Sequence, residues 1–167
     1  MKTALAILFF VKREYETSID LFNRALKFDP TNYLLMNKIG AALAHLGRAD
    51  EAIKFYHHAL NIRPNYVRVW VNIGIAHAFK GLYEEAARFY LNALSFRPDA
   101  KHVWSYLHTC FMSMRNKYLY PERYDLISKI STQDPKAFNE FEVINAEELP
   151  DPEIECKFDK ICRCCHH

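Results

Sequence analysis

The chain has 167 residues, of which half are apolar and only four are glycine, enough for one compact domain or a short repeat array. Its formal net charge is +2, with acids and bases interspersed, which excludes the strongly basic surface that nucleic-acid-binding proteins use. Four of the five cysteines lie within the last twelve residues, so no disulfide framework spans the body of the chain. This distribution favours a reducing compartment.

The N-terminal segment TALAILFF, over residues 3–10, is apolar and is followed by the charged residues Lys12, Arg13 and Glu14. It lacks the small-residue cleavage site of a secretory signal, and it is too short to span a bilayer. Its place in the repeat described next predicts the helix of a first repeat that is cut short at its start. On this interpretation the chain corresponds to the C-terminal part of a longer array.

A period of 34 residues organises the middle of the chain, because Pro30, Pro64 and Pro98 are evenly spaced. Residues of similar type recur at fixed distances before each proline: Ala25, Ala59 and Ala93; Phe22, Tyr56 and Tyr90; Ser18, Ala52 and Ala86; Leu5, Ile39 and Ile73; Ala6, Gly40 and Gly74. This order is typical of the tetratricopeptide repeat, whose unit is two antiparallel helices. The sequence therefore predicts an all-α, right-handed tetratricopeptide-repeat superhelix with about three repeats over residues 1–100.

Each recurring position of the period has a predicted role in the packing of the helices. The prolines end the second helix of each unit, because proline cannot continue a helix. Gly40 and Gly74 are predicted to let helix backbones approach closely. The aromatic residues at positions 22, 56 and 90 are predicted to fill the space between neighbouring helix pairs.

After Pro98 a fourth helix starts in the same phase, with Trp104 and Leu107 at the large and aliphatic positions. The period then lapses, and residues 101–143 are predicted to form the capping helices that a repeat array requires. Residues 144–167 have two prolines, many acids and no period, so a disordered tail is predicted. The tail segment CKFDKICRCCHH has ligands for zinc or copper but lacks zinc-finger spacing, so neither a metal site nor a cofactor is predicted.

The first helices of the repeats line the concave face, and the helical wheel assigns residues of the second and third units to that groove. They are Leu34, Lys38, Ala41 and His45 in one helix, with Asn37 on its flank, and Arg68, Asn72, Ile75 and Phe79 in the next. Asn72 is unfavourable inside a helix, and in the groove we expect it to pack against nothing in the core.

A peptide-binding role would account for these polar groove residues. The amides of Asn37 and Asn72 match the N–H and C=O groups of an extended peptide, and Arg68 suits a carboxylate. The alternative is that they are solvated polar residues on an exposed helix face.

Two segments, YLLMNKIGA at 33–41 and RPNYVRVWVNIGIA at 63–76, resemble the C-terminal half of the type-1 peroxisomal targeting signal receptors, the peroxin 5 family. The resemblance covers about residues 4–100, and HVWSYL and DPKAFNEFEV resemble that family's terminal helical element. It implies a cytosolic cargo receptor that cycles to the peroxisomal membrane, where the full-length family meets docking proteins. Its cargo would be matrix proteins that end in a Ser-Lys-Leu-type tripeptide.

The resemblance also implies roles for particular residues. Asn37 and Asn72 match positions that hold the extended C-terminus, and Arg68 matches one that supports the carboxylate. His45 and Phe79 stand where the family usually has asparagine; His45 can still form one hydrogen bond, but Phe79 cannot replace an amide. Altered cargo contacts are therefore expected. The family also grips cargo between two repeat clusters, of which this sequence carries one.

Two other functions stay open at this stage. A co-chaperone adaptor would bind an acidic chaperone C-terminus, and Lys38 and Arg68 are its candidate cations. A scaffold would use the repeats to bind another folded protein. Because the sequence shows no nucleophile–base group and no phosphate-binding glycine loop, an enzyme is not expected.

Overall fold

Residues 2–114 are described by the structure, a computed structural model, and they contain helices and turns but no β-strand. The helices are α1 (Lys2–Val11), α2 (Tyr15–Leu26), α3 (Tyr33–His45), α4 (Ala49–Ile62), α5 (Val67–Phe79), α6 (Tyr83–Phe96) and α7 (Lys101–Ser113). Each of the three repeat prolines lies in the turn after an even-numbered helix, which confirms the predicted helix breaks. The capping helices predicted beyond residue 114 and the tail predicted at 144–167 lie outside the described residues.

The helices pack as successive pairs. Helix α1 packs on α2, α3 on α4 and α5 on α6, while α2–α3, α4–α5 and α6–α7 contacts join one pair to the next. Ile39, Ile73 and Leu107 occupy the same position of the period in α3, α5 and α7, and all three are fully buried. The buried residues form two clusters along the array, one mainly in α1–α5 and one in α5–α7, and the partly buried Trp70 packs against both.

The repeat glycines make room for aromatic rings. A Cβ atom on Gly40 would lie 2.5 Å from Cε1 of Tyr56, and one on Gly74 would lie 2.5 Å from Cε1 of Tyr90. The prediction that these glycines bring two helix backbones together is therefore wrong about the partner. The missing side chain admits the tyrosine of the second helix in the same repeat, and any larger residue would overlap that ring.

The turn inside the second and third pairs is built by a glycine with a left-handed backbone conformation, which Arg13 adopts in the first pair with a φ angle of 64°. Gly47 and Gly81 have φ angles of 76° and 75°, which side-chain-bearing residues rarely adopt. At the second of these turns the Gly81 N–H donates to the carbonyl of Ala78, and the Leu82 N–H donates to that of His77, both at 3.0 Å. This arrangement satisfies carbonyls at the end of α5 that have no partner within the helix.

The turn between pairs is tied to the next helix by a tryptophan. The indole Nε1–H of Trp70 donates to the carbonyl of Pro64, and that of Trp104 donates to Pro98, both at 2.7 Å. The same bond at two successive repeats fixes where α5 and α7 begin relative to the helix before them. The groove residues of α5 are thus positioned by a repeated backbone contact.

Candidate functional site

The side of the array formed by the odd-numbered helices has a distinct charge. Helices α1, α3, α5 and α7 contain no Asp and no Glu. Acids are found instead in the first turns of the even-numbered helices, where their negative charge stabilises the helix N-terminus. They are Glu16, Asp50, Glu51, Glu84 and Glu85. We call Lys38, His45, Arg68, Asn72 and Phe79 of α3 and α5 the groove face. Its own helices supply cationic, neutral polar and apolar groups only.

Asn72 of the groove face forms a hydrogen bond with Asn37 of the neighbouring helix α3. Nδ2 of Asn72 donates a hydrogen bond to Oδ1 of Asn37, with a distance of 2.9 Å. Asn37 is only 7% exposed, whereas Asn72 is partly exposed. The expectation that Asn72 packs against nothing is therefore wrong, because α3 and α5 contact each other and the two amides meet between them.

This bond orients the amide of Asn72. A side-chain amide has two donor hydrogens and an acceptor oxygen, and the bond to Asn37 uses one hydrogen. One donor and the acceptor of Asn72 stay available on its partly exposed side. A main-chain peptide unit offers the complementary pair, so the fixed amide can receive an extended chain in one direction.

The two cations of the groove face have no acidic partner among the described residues. Arg68 is exposed and Lys38 is half-buried, and neither forms an ion pair within residues 2–114. By contrast, Arg48 pairs with Glu51 at 2.6 Å, and Lys80 pairs with Asp50 at 2.5 Å. An anionic ligand at the groove face therefore competes with no acid already bound to Arg68 or Lys38.

The two positions that depart from the family pattern have different surroundings. The His45 ring stacks on Tyr15 at a centroid distance of 4.8 Å, and the Phe10 ring meets both edge-on, at 5.5 Å from Tyr15 and 5.8 Å from His45. Phe79 is 87% exposed. His45 is thus held in an aromatic cluster, whereas Phe79 presents a bare ring to whatever occupies the groove.

Beside Phe79 the structure has an apolar pocket that sequence reasoning did not find. It has a volume of about 400 Å³ and is lined by Ile75, Ala78, Phe79, Tyr83, Tyr90, Tyr106, Thr109 and Cys110. Tyr90 and Cys110 are buried, and burial raises the pKa of the Cys110 thiol to about 11, so this thiol is protonated at neutral pH. Tyr106 could have been recognised as a groove residue, because it follows Lys38 and Asn72 at the 34-residue period.

Residues 2–114 hold no group of three or more His, Cys, Asp or Glu side chains placed to bind a metal ion. The cysteine- and histidine-rich segment of the tail lies outside that range. In the same described part of the chain, no helix is both long enough and apolar enough to cross a membrane.

Residues 31–99 match the family model of the tetratricopeptide repeat. The chain is 42% identical to the peroxisomal targeting signal 1 receptor of Dictyostelium discoideum over 53 residues, which are 32% of this chain and 8% of the relative. It is 40% identical to the peroxisomal targeting signal receptor of Candida glabrata over 54 residues, which are 32% of this chain and 9% of the relative.

A solved structure described as the first TPR of Spaghetti (RPAP3) bound to HSP90 peptide SRMEEVD superimposes with a TM-score of 0.65. It covers 68% of this chain and 90% of that chain at 19% sequence identity. Together with the helix pairs described above, this similarity shows that the chain has the all-α tetratricopeptide-repeat fold. The similarity to the targeting-signal receptors spans less than a tenth of their length, and it is narrower than the range of about 4–100 that the sequence suggested.

Proposed function

We propose that the chain is a peptide-binding module that holds the free C-terminus of a partner protein on the groove face. The partner is a peroxisomal matrix protein ending in a Ser-Lys-Leu-type tripeptide, and the module acts in the cytosol and at the peroxisomal membrane. The observation that carries the proposal is the Asn72 amide, held by buried Asn37 at 2.9 Å between helices that carry no acid. Similarity to two targeting-signal receptors supports the choice of cargo.

Each group of the groove face has a role in this proposal. The free donor and acceptor of Asn72 pair with the peptide main chain, whose buried polar groups would otherwise cost about 1–3 kcal/mol each. Arg68, exposed and without an ion pair among the described residues, binds the terminal carboxylate. Lys38 adds a second positive charge on the neighbouring helix.

The test is a fluorescence-anisotropy titration of the full chain with labelled heptapeptides. One peptide ends in Ser-Lys-Leu with a free carboxylate, and its matched partner carries a C-terminal amide. We expect the free acid to bind and the amide to bind about 10-fold more weakly or worse, because a charge-assisted hydrogen bond contributes about 1.5–3 kcal/mol. Arg68→Gln should remove most of this difference, whereas the control Arg97→Gln, an exposed arginine at the end of α6, should not. Equal affinity for acid and amide would contradict the proposal.

A second candidate function is a co-chaperone adaptor that binds an acidic chaperone C-terminus. The absence of acids from α3 and α5, with Lys38 and Arg68 exposed or half-exposed, favours it. The same titration with a peptide ending in Glu-Glu-Val-Asp distinguishes the two. Tighter binding of this acidic peptide, with a steep loss of affinity as salt is added, would favour the adaptor.

A further inference from the structure

The pocket beside Phe79 results from a difference between two equivalent junctions of the array. At the junction of α1, α2 and α3, the rings of Phe10, Tyr15 and His45 pack together with centroids 4.8–5.8 Å apart. Two periods later, at the junction of α5, α6 and α7, the equivalent residues are Ala78, Tyr83 and Ser113. Only the tyrosine is kept, and Ala78 lines the pocket at the position where the first junction has the Phe10 ring.

The remaining walls of the pocket are aromatic and aliphatic. Tyr90 forms part of the buried floor, and the centroid of the Tyr106 ring lies 5.7 Å from that of the Tyr90 ring. Ile75 and the exposed ring of Phe79 come from α5, one and two turns after Asn72. The pocket thus continues the groove face along the same helix and offers its occupant mainly apolar contacts.

We propose that this pocket receives one large apolar side chain, leucine or an aromatic residue, of the C-terminal peptide that the groove face binds. This inference rests on the proposed function and specifies the peptide further. The arginine and the pocket are about 10 Å apart along α5, since Ile75 follows Arg68 by seven residues. An extended chain covers this distance in about three residues. The apolar side chain therefore lies three residues before the last one, at the fourth position from the end, directly ahead of the terminal tripeptide.

Charge and shape both support a peptide with a free C-terminus as the occupant. The helices that line the pocket's groove side, α5 and α7, carry no acid, so the carboxylate of a peptide meets no repulsion from their side chains. A pocket of about 400 Å³ is within the range that ligand sites use, and it accommodates one large side chain. An aromatic ring as exposed as Phe79 is the kind of residue that becomes an anchor when a partner covers it.

The experiment compares two peptides with free carboxylates that both end in Ser-Lys-Leu and differ only in having Leu or Ala at the fourth residue from the end. For the full wild-type chain we expect the Leu peptide to bind about 10-fold more tightly, which corresponds to burial of one apolar side chain. Ala78→Phe restores the ring that the first junction has, and it should abolish this preference while keeping the affinity for the Ala peptide. The matched control is Ala44→Phe, the same change at the same repeat position of the exposed end of α3, which should leave the preference intact.

Phe79→Ser serves as a second variant, because the loss of an exposed ring does not threaten folding. It should lower the Leu preference several-fold. Carboxylate-dependent binding with no Leu preference, or a preference that Ala78→Phe does not change, would overturn the pocket assignment and leave the proposed function intact. If Ala78→Phe altered only thermal stability, the pocket would belong to a contact within the chain, and the inference would be wrong. Binding that ignored the carboxylate would instead overturn the proposed function.

Discussion

The odd- and even-numbered helices obey the same 34-residue period but use it differently. Helices α2, α4 and α6 carry acids in their first turns and the buried aromatic residues Phe22, Tyr56 and Tyr90. Helices α3 and α5 carry the glycines that those tyrosines fill, together with exposed and polar groups on the opposite side. Stability is therefore concentrated where odd and even helices meet, whereas the exposed side of the odd helices is free to vary.

Because of that contrast, one helix can both stabilise the fold and present variable side chains on its other face. In α5, Ile73 and Gly74 face the core, and Arg68, Asn72 and Phe79 face away from it. The core-facing residues repeat from unit to unit, but the groove-facing ones change at every repeat. Position-by-position variation on a constant scaffold is how a repeat protein acquires a specific ligand.

The sharpest test of this division compares two aromatic residues. Tyr56→Ala should lower the free energy of unfolding by about 3–5 kcal/mol, because a ring that is 2% exposed leaves a cavity against Gly40. Phe79→Ala should change it by less than about 0.5 kcal/mol, because its ring is already in water. Urea denaturation followed by circular dichroism measures both values. Similar decreases in the free energy of unfolding for the two variants would show that the exposed side of the odd helices also stabilises the fold.

Much of this arrangement is predictable from the sequence, for a physical reason. Helix breaks, the buried repeat positions and the exposure of Arg68 and Phe79 follow from the period and the helical wheel, which are local properties of the chain. The wheel of α3 alone places Asn37 on the groove flank, and it cannot show that Asn72 of α5 reaches across to it. That hydrogen bond depends on how closely two helices pack, which no single-helix pattern contains.

The pocket escaped prediction for a related reason. It depends on a missing ring, which Phe10 supplies at the first junction and which Ala78 does not replace at the last. The substitution is visible when residues 68 positions apart are aligned. Only the structure shows that Ala78 lines one cavity together with Tyr90.

The hydrogen bond between Asn72 and Asn37 joins α5 to α3. Loss of one asparagine should therefore destabilise the fold more than loss of both. Asn72→Ala should lower the free energy of unfolding by about 1–3 kcal/mol, because Oδ1 of buried Asn37 loses its donor. Adding Asn37→Val should recover most of that loss, since both polar partners are then gone and the equivalent residue of α5 is buried Val71. Chemical denaturation of the single and double variants gives the coupling. The control Asn92→Ala, at an exposed asparagine of α6, should change the free energy of unfolding little. If Asn72→Ala changed it as little as this control does, the Asn72–Asn37 hydrogen bond would not contribute to stability.

The smallest expected effect concerns two histidines that lie between odd and even helices. His77 of α5 stacks on Phe89 at 5.1 Å, and His57 of α4 meets the same ring at 6.2 Å. Burial is the main cause that lowers the pKa of both imidazoles below the usual value. The nearby His77 and His58 lower the pKa of His57 further. For His77, Lys80 acts in the same direction as burial, whereas Glu85 and Asp50 act in the opposite direction. Nδ1 of His77 is buried and has no hydrogen-bond partner.

The sign of the pH effect follows from these lowered pKa values. Below about pH 6.5 the unfolded chain binds protons at His57 and His77 more readily than the folded chain does. The free energy of unfolding should therefore be largest above that pH and should decrease as the pH falls through the lowered pKa values. Thermal melts of the full chain between pH 8.0 and 5.5 measure this decrease. His77→Leu should reduce the slope of stability against pH. It should leave stability at pH 8.0 nearly unchanged, because Nδ1 of the histidine that it replaces has no hydrogen-bond partner. A slope that is identical in wild type and in His77→Leu would show that this histidine does not link protonation to the packing of α5 on its neighbours.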